Sequence, residues 1–227
     1  LGSLLDAAQT LRPIALGRSA HRPLRGLTVA NLFFEPSTRT RASFQLAAKR
    51  LGADVLNFNA DSSSTRKGET LVDTLRNLEA MGASLFVVRH THSNVLGSLA
   101  SAAADGSSVV SAGDGRSSHP TQGLLDMLTI RQRKGEDFSR LSVTIVGDIR
   151  HSRVARSDAQ ALRMLGVTDL RLAAPPTLLP DADEACFSGV QIAESLDAAL
   201  DGCDVVMMLR LQRERMDEGL VNSLEEY

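Results

Sequence analysis

The residues best suited to chemistry lie together at Phe33-Phe34-Glu35-Pro36-Ser37-Thr38-Arg39-Thr40-Arg41. An apolar run ends there, Pro36 breaks it, and Ser37 or Thr38 can cap a helix that carries Phe44 and Leu51. The unpaired N–H groups of a helix start, two hydroxyls and Arg39 together make a site for a phosphate-like anion. The plain alternative is an N-cap with solvated arginines on its first turn. Cations at the positive end of a helix dipole are unfavourable unless an anion neutralises them, which favours the anion site.

Four further segments hold reactive side chains. The serine-rich stretch 61–69 contains Ser63, Ser64 and Lys67, and by itself reads as a flexible loop. Arg89 closes the apolar run 84–88, so it should lie at the carboxyl end of a strand. His90 and His92 follow it, but two histidines without a third ligand and a carboxylate do not make a metal site, and no metal is assigned. His119-Pro120-Thr121-Gln122 follows Gly113-Asp114-Gly115 and opens a long helical stretch. Pro120 and Thr121 suit a helix start, and the histidine is either incidental or faces a cleft.

In Gly147-Asp148-Ile149-Arg150-His151-Ser152-Arg153, the G-x-G-x-x-G spacing of a dinucleotide loop is absent. Ser152 can cap a helix there, with Arg153 a second cation on a first turn. The charged run after 204–209 holds Arg210-Leu211-Gln212. Such a run is commonly a solvated face, although strand alternation would set Arg210 and Gln212 on one side.

These groups need a scaffold, and the hydrophobic pattern supplies one. Strands are predicted at 27–34, 53–58, 84–88, 108–111, 142–146, 169–173, 190–193 and 204–209. Between them Phe44, Ala47, Ala48 and Leu51 keep helical spacing, as do Leu71, Leu75 and Leu78, and Ala155, Ala159 and Leu162. This alternation predicts an α/β fold of two domains, each a mainly parallel four-stranded sheet with helices on both faces. The helix-like stretch 121–134 and the polar Gly135-Glu136-Asp137 set the seam, giving domains 1–134 and 135–227. Two such domains would form a cleft at their strand ends, where open α/β sheets bind ligands.

Composition excludes several partners. A formal net charge of -2 gives no electrostatic reason to propose nucleic acid, so the arginine clusters need a local explanation such as small anionic substrates. The two cysteines, Cys186 and Cys203, make neither a metal spacing nor a disulfide framework, which fits a reducing compartment. No run of eighteen apolar residues occurs, and no leader pattern opens the chain. The expectation is a cytoplasmic protein without membrane contact.

Taken together, F-x-E-x-S-T-R-T-R, Lys67-Gly68-Glu69-Thr70, Arg89-His90, His119-Pro120-Thr121-Gln122 and Arg210-Leu211-Gln212 resemble, in order, the motifs of the aspartate and ornithine carbamoyltransferases. The resemblance spans nearly the whole chain. It implies a carbamoyl phosphate-binding domain at 1–134 and an aspartate-binding domain at 135–227, the latter incomplete because the family's C-terminal H-P-x-P region and last helix are not in the sequence. By resemblance, Ser37, Thr38, Arg39 and Thr40 hold the phosphate, and Arg89 holds the phosphate and the carbonyl oxygen. His119 donates to that oxygen, Gln122 meets the carbamoyl nitrogen, and Ser63 (or Ser64) with Lys67 comes from a neighbouring subunit. Arg39, Thr40, Arg89 and His119 are the catalytic set. Lys67, Arg153, Arg210 and Gln212 grip the second substrate, and Glu35 reaches Arg153 and Arg215.

The resemblance further implies no cofactor, a homotrimer or higher assembly, and a dihydroorotase-like or regulatory chain as partner. The R-x-Q segment and two guanidinium groups suit aspartate as acceptor, where the ornithine enzymes carry an S-M-G stretch that is absent here. The expected reaction belongs to pyrimidine biosynthesis. An ornithine or other amine acceptor, and a non-catalytic assembly subunit, are the competing readings.

Overall fold

A computed structural model of the chain describes residues 1–59 and 69–211. The chain divides into two compact units, Asp6–His119 and a second made of Pro120–Tyr227 with Leu1–Leu5. In chain order the elements are α1 (Gly2–Ala15), β1 (Thr28–Phe33), α2 (Thr38–Arg50), β2 (Asp54–Asn59), α3 (Leu71–Ala80), β3 (Ala83–His90), α4 (Val95–Ala102) and β4 (Ser108–Asp114). There follow α5 (Pro120–Lys134), β5 (Ser142–Val146), α6 (Arg153–Met164), β6 (Asp169–Ala173), β7 (Gln191–Ile192), α7 (Leu196–Leu200) and β8 (Val205–Met208).

The first unit holds a four-stranded sheet in the order β2-β1-β3-β4, with every pairing parallel. Successive side chains on a strand point to opposite faces, and the core follows that rule. Ala30, Leu32, Phe86 and Val88 pack on one face with Leu75 of α3 and Leu96 and Leu99 of α4. Val29, Phe33 and Val87 face the other way, with Ala48 and Phe44 of α2. Both faces are covered, as a parallel sheet requires.

The second unit repeats the plan in the order β7-β6-β5-β8, again all parallel. Val143 and Ile145 pack beneath Met127 of α5 and Ala155, Ala159 and Leu162 of α6. On the opposite face Val146 and Ala173 meet Ala199 of α7, whose carbonyl accepts the buried Thr144 hydroxyl at 2.7 Å.

In each sheet the chain winds one way and then the other. The reversal falls between β1 and β3 in the first unit and between β5 and β8 in the second. Ligands of open α/β sheets bind beyond the strand carboxyl ends at such a switch point. The registers end there on Phe33 opposite Arg89, and on Val146 opposite Met208.

Two strands outrun the hydrophobic pattern. β3 continues through Arg89 and His90, and β4 through Gly113 and Asp114, because the polar groups at these ends find partners that let them be buried. β7 is shorter than the predicted 190–193. Compactness groups α5 with the second unit: Gly123 lets it lie close on α6, a Cβ there being 3.3 Å from that of Ser157.

Candidate active site

At the β1/β3 switch point, Arg89 is buried on the same side of the sheet as Val87, which packs towards α2. Its Nη2 donates to Glu35 Oε1 at 2.6 Å and its Nη1 to the Ala112 carbonyl at 3.2 Å. The planar guanidinium is thereby held by a group just past β1 and another on β4, the neighbours of its own strand on either side. The amide of Phe34 donates to the Arg89 carbonyl at 2.9 Å, which steers the chain off β1 towards α2.

Ser37 occupies the N-cap of α2 with extended backbone, yet its side chain makes no capping hydrogen bond. Thr70, Ser152 and Ser195 at the starts of α3, α6 and α7 all accept such a bond. The α2 start also lacks any acidic residue in its first turn, where Arg39 is exposed and Thr40 and Arg41 are half-buried. A helix start with cations, no acidic residue and no side-chain cap is one that an anion would stabilise.

His119 is buried at the end of the turn that leaves β4. That turn is anchored to the segment after β3. The Asn94 amide donates to Asp114 Oδ2 at 3.0 Å, the Gly115 amide to the His90 carbonyl at 2.9 Å, and the Arg116 amide to Ser93 Oγ at 3.1 Å. Gly115 has φ +51°, and a Cβ there would lie 2.4 Å from the Ser93 amide nitrogen, so only glycine fits. Thus the connection that carries His119 is tied to the end of β3, the strand that holds Arg89. His90 packs between Phe34 and His92, with ring centroids 5.5 and 5.2 Å away. Burial, and then the neighbouring His92, hold its pKa below the usual histidine value. Among the described residues no three His, Cys, Asp or Glu side chains are grouped to hold a metal ion.

In the second unit, the loop after β5 folds around Asp148, which is fully buried. Its Oδ1 accepts the His151 amide at 3.2 Å and lies 2.8 Å from His151 Nδ1. This turn delivers Ser152 to the N-cap of α6, where Oγ accepts the Ala155 amide at 3.1 Å, and sets Arg153, also buried, as the first helical residue. Arg210 follows β8 on its exposed side, in line with Val206 and Met208.

Gln122 on the first turn of α5 donates through Nε2 to both oxygens of Asp126 one turn on, at 3.0 and 3.2 Å. Asp126 in turn hydrogen-bonds Asp158 of α6. Gln122, both carboxyls, Ser152 and Arg210 line one cavity of about 440 Å³ in the second unit.

Of the residues expected to act, Glu35, Ser37, Thr38, Arg39, Thr40, Arg89 and His119 lie in the first unit, and Gln122, Arg153 and Arg210 in the second. Ser63, Ser64, Lys67, Gln212 and Arg215 lie outside the described residues. Sequence reasoning missed Asp114, Asp126, Asp148 and Asp158, the carboxyls that hold the site's loops and amides. Only the spacing of Gln122 and Asp126, one helical turn apart, offered a signal.

Residues 1–132 match the family model described as aspartate/ornithine carbamoyltransferase, carbamoyl-P binding domain. The chain is 62% identical over 226 residues to the aspartate carbamoyltransferase catalytic subunit of Stenotrophomonas maltophilia strain K279a, covering 99% of this chain and 71% of that protein. It is also similar to aspartate transcarbamoylase from Trypanosoma cruzi in complex with aspartate and phosphate, with a TM-score of 0.82, 30% identity, and coverage of 96% of this chain and 74% of that one. The same enzyme in complex with carbamoyl aspartate and phosphate superposes with a TM-score of 0.83 at 30% identity, covering 94% of this chain and 69% of that one. With a family model matched over more than half its length and a relative matched over nearly all of it, the chain belongs to the aspartate/ornithine carbamoyltransferase family.

Proposed function

We infer that the chain is an enzyme that transfers the carbamoyl group of carbamoyl phosphate to the amino group of L-aspartate, giving N-carbamoyl-L-aspartate and phosphate, a step of pyrimidine biosynthesis. One observation carries this furthest: the uncapped, cation-bearing start of α2 beside a switch point whose opposite strand ends in a buried arginine. That arrangement calls for an anion, and carbamoyl phosphate is the anionic substrate named for the family domain matched here.

The roles follow by residue type. Ser37, Thr38, Arg39 and Thr40 hold the phosphoryl oxygens, with Arg89 between phosphate and carbonyl. The aspartate nitrogen attacks the carbonyl carbon. Thr40, Arg89 and His119 donate to the oxygen on which negative charge grows, one such donor contributing about 3 kcal/mol to the transition state. The tetrahedral intermediate then breaks its C–O bond to phosphate, which leaves with the proton lost by the amine. Gln122 meets the carbamoyl nitrogen, and no cofactor takes part. Arg153, Arg210 and Gln212 with Lys67 receive the aspartate carboxylates, guanidinium groups suiting planar, paired oxygens.

By function the chain divides at 134/135 into a carbamoyl phosphate-binding and an aspartate-binding domain, and the family model's end at residue 132 supports that division. Ser63 and Lys67 serve a neighbouring copy, so the working form is an oligomer, a homotrimer or a larger assembly that includes a dihydroorotase-like or regulatory chain. No described helix is long and apolar enough to cross a membrane, in keeping with a cytoplasmic enzyme.

Labelled carbamoyl phosphate offered with aspartate and with ornithine in parallel tests the reaction. Product is expected with aspartate, and product with ornithine alone overturns the acceptor. A bisubstrate anion carrying a phosphonate and two carboxylates should bind the chain, and Arg39→Ala should abolish that binding. Undiminished binding by the variant removes the phosphate site from α2.

A further inference from the structure

Asp126 and Asp158 form a carboxyl pair that the reaction itself does not use. Asp158 is 1% exposed, and its Oδ1 has no hydrogen-bond partner among the described residues. Two carboxyls hydrogen-bond each other only when one of them carries a proton, because an ionised carboxylate is an acceptor alone. Their meeting follows from the close approach of α5 and α6 at Gly123, where an added Cβ would lie 3.4 Å from Asp158 Oδ1. Asp126 then has one more duty, accepting the Gln122 amide on both oxygens.

We propose that the Asp126–Asp158 pair is a positioning device for Gln122, accepting from its Nε2 and so presenting Oε1 to an N–H donor. A side-chain amide can turn over, and a rotated Gln122 would offer its own N–H groups instead. Facing Asp126, it has one favourable orientation, since two acceptors cannot bond each other. The donor it meets is the carbamoyl nitrogen, which rests on the assignment of Gln122 made above.

The shared proton makes the device sensitive to pH. Burial, and then the charge and hydrogen bond of Asp126, push Asp158 up to about 8, and burial also raises Asp126. Among the described residues, the charged groups facing the same cavity are these two carboxyls and Arg210 beyond β8. Below about 8 Asp158 keeps its proton and donates to Asp126. Above it, two like charges share one buried site and the hold on Gln122 loosens.

The side-chain amide resonances of Gln122, followed by ¹H–¹⁵N NMR from pH 6 to 9.5, read the arrangement directly. They are expected to titrate in the chain as it stands and to stay constant in Asp158→Asn, whose amide donates to Asp126 at every pH. Resonances that titrate equally in both, or in neither, overturn the proposal. Kinetics give a second arm. Asp126→Ala is expected to raise KM for carbamoyl phosphate about tenfold, the scale of one uncharged hydrogen bond. It should add nothing further in a Gln122→Ala background, and an equal loss in both backgrounds sinks the positioning role. Absence of turnover in the unsubstituted chain counts against the reaction, while the amide resonances still decide the arrangement.

Discussion

Arg89 and Glu35, whose side chains are only 10% and 18% exposed, meet at 2.6 Å where β1 and β3 end side by side. A pair so placed contributes less through its own attraction than through what its loss would expose, because either partner alone is a buried charge. Glu35→Ala is therefore expected to destabilise the fold by about 3 kcal/mol, read as a shift in the urea midpoint. Inorganic phosphate should restore more stability to this variant than to the parent, since it supplies the anion that the guanidinium has lost. Equal stabilisation of both by phosphate would separate Arg89 from the phosphate site.

Asp158 makes a different contribution, with its own sign. Its pKa is raised from 3.8 to about 8 in the folded chain. Between those values the folded state holds a proton that the unfolded state has released, so stability falls as pH rises and is lost through about 8. His90 works the opposite way near the ordinary histidine value of 6.5, because its lowered pKa makes stability rise with pH there. The difference between the parent and Asp158→Asn isolates the carboxyl. The variant is expected to gain on the parent from pH 5 to 8, at a rate approaching about 1.4 kcal/mol per pH unit. Parallel stability curves for the two proteins would contradict the buried, protonated Asp158.

How far this architecture was legible in the chain depends on where burial and polarity agree. Alternating runs such as Val29 to Phe33 and Val143 to Ile145 announce strands covered on both faces, and the helices follow from Leu75, Ala155 and Leu162. The pattern fails where charge is buried. Arg89 is legible as the close of an apolar run, whereas Asp114 lies beyond the predicted 108–111, and both extend their strands because Glu35 and the Asn94 amide satisfy them. Nothing in the residue type of Asp126 and Asp158 marks them as neighbours. Their meeting depends on Gly123 and on the packing of segments some thirty residues apart, which no local period encodes. The expectation of an anion at Ser37 to Arg41 rests on residue types against a helix dipole, which the sequence alone displays.

The turn before His119 should be intolerant of any side chain at Gly115. Gly115→Ala combines a φ of +51° with a Cβ 2.4 Å from the Ser93 amide nitrogen, so the turn must shift. Gly135→Ala is the matched control, with a φ of +95° and nothing within 4 Å of the added atom. The control is expected to cost about 1–2 kcal/mol, the usual penalty for a side chain in left-handed backbone. Gly115→Ala should exceed it and should also lower turnover, because His119 hangs from the displaced turn. Equal stability and full turnover in both would show that this close approach is not what places His119.

Two serines at helix starts offer the sharpest separation of structural from functional duty. Ser152 accepts the Ala155 amide at 3.1 Å, whereas Ser37 makes no capping bond. Replacing a cap hydroxyl by a methyl costs typically about 1 kcal/mol, since a first-turn amide loses its partner. Ser152→Ala is thus expected to lower the urea midpoint accordingly. Ser37→Ala removes no such partner and should leave stability within about 0.5 kcal/mol of the parent. Its loss belongs to the anion, so KM for carbamoyl phosphate should rise, and inorganic phosphate should protect the variant less against unfolding. If Ser37→Ala instead unfolds the chain as readily as Ser152→Ala, with KM unmoved, the α2 serine is a helix cap and the phosphate is held elsewhere.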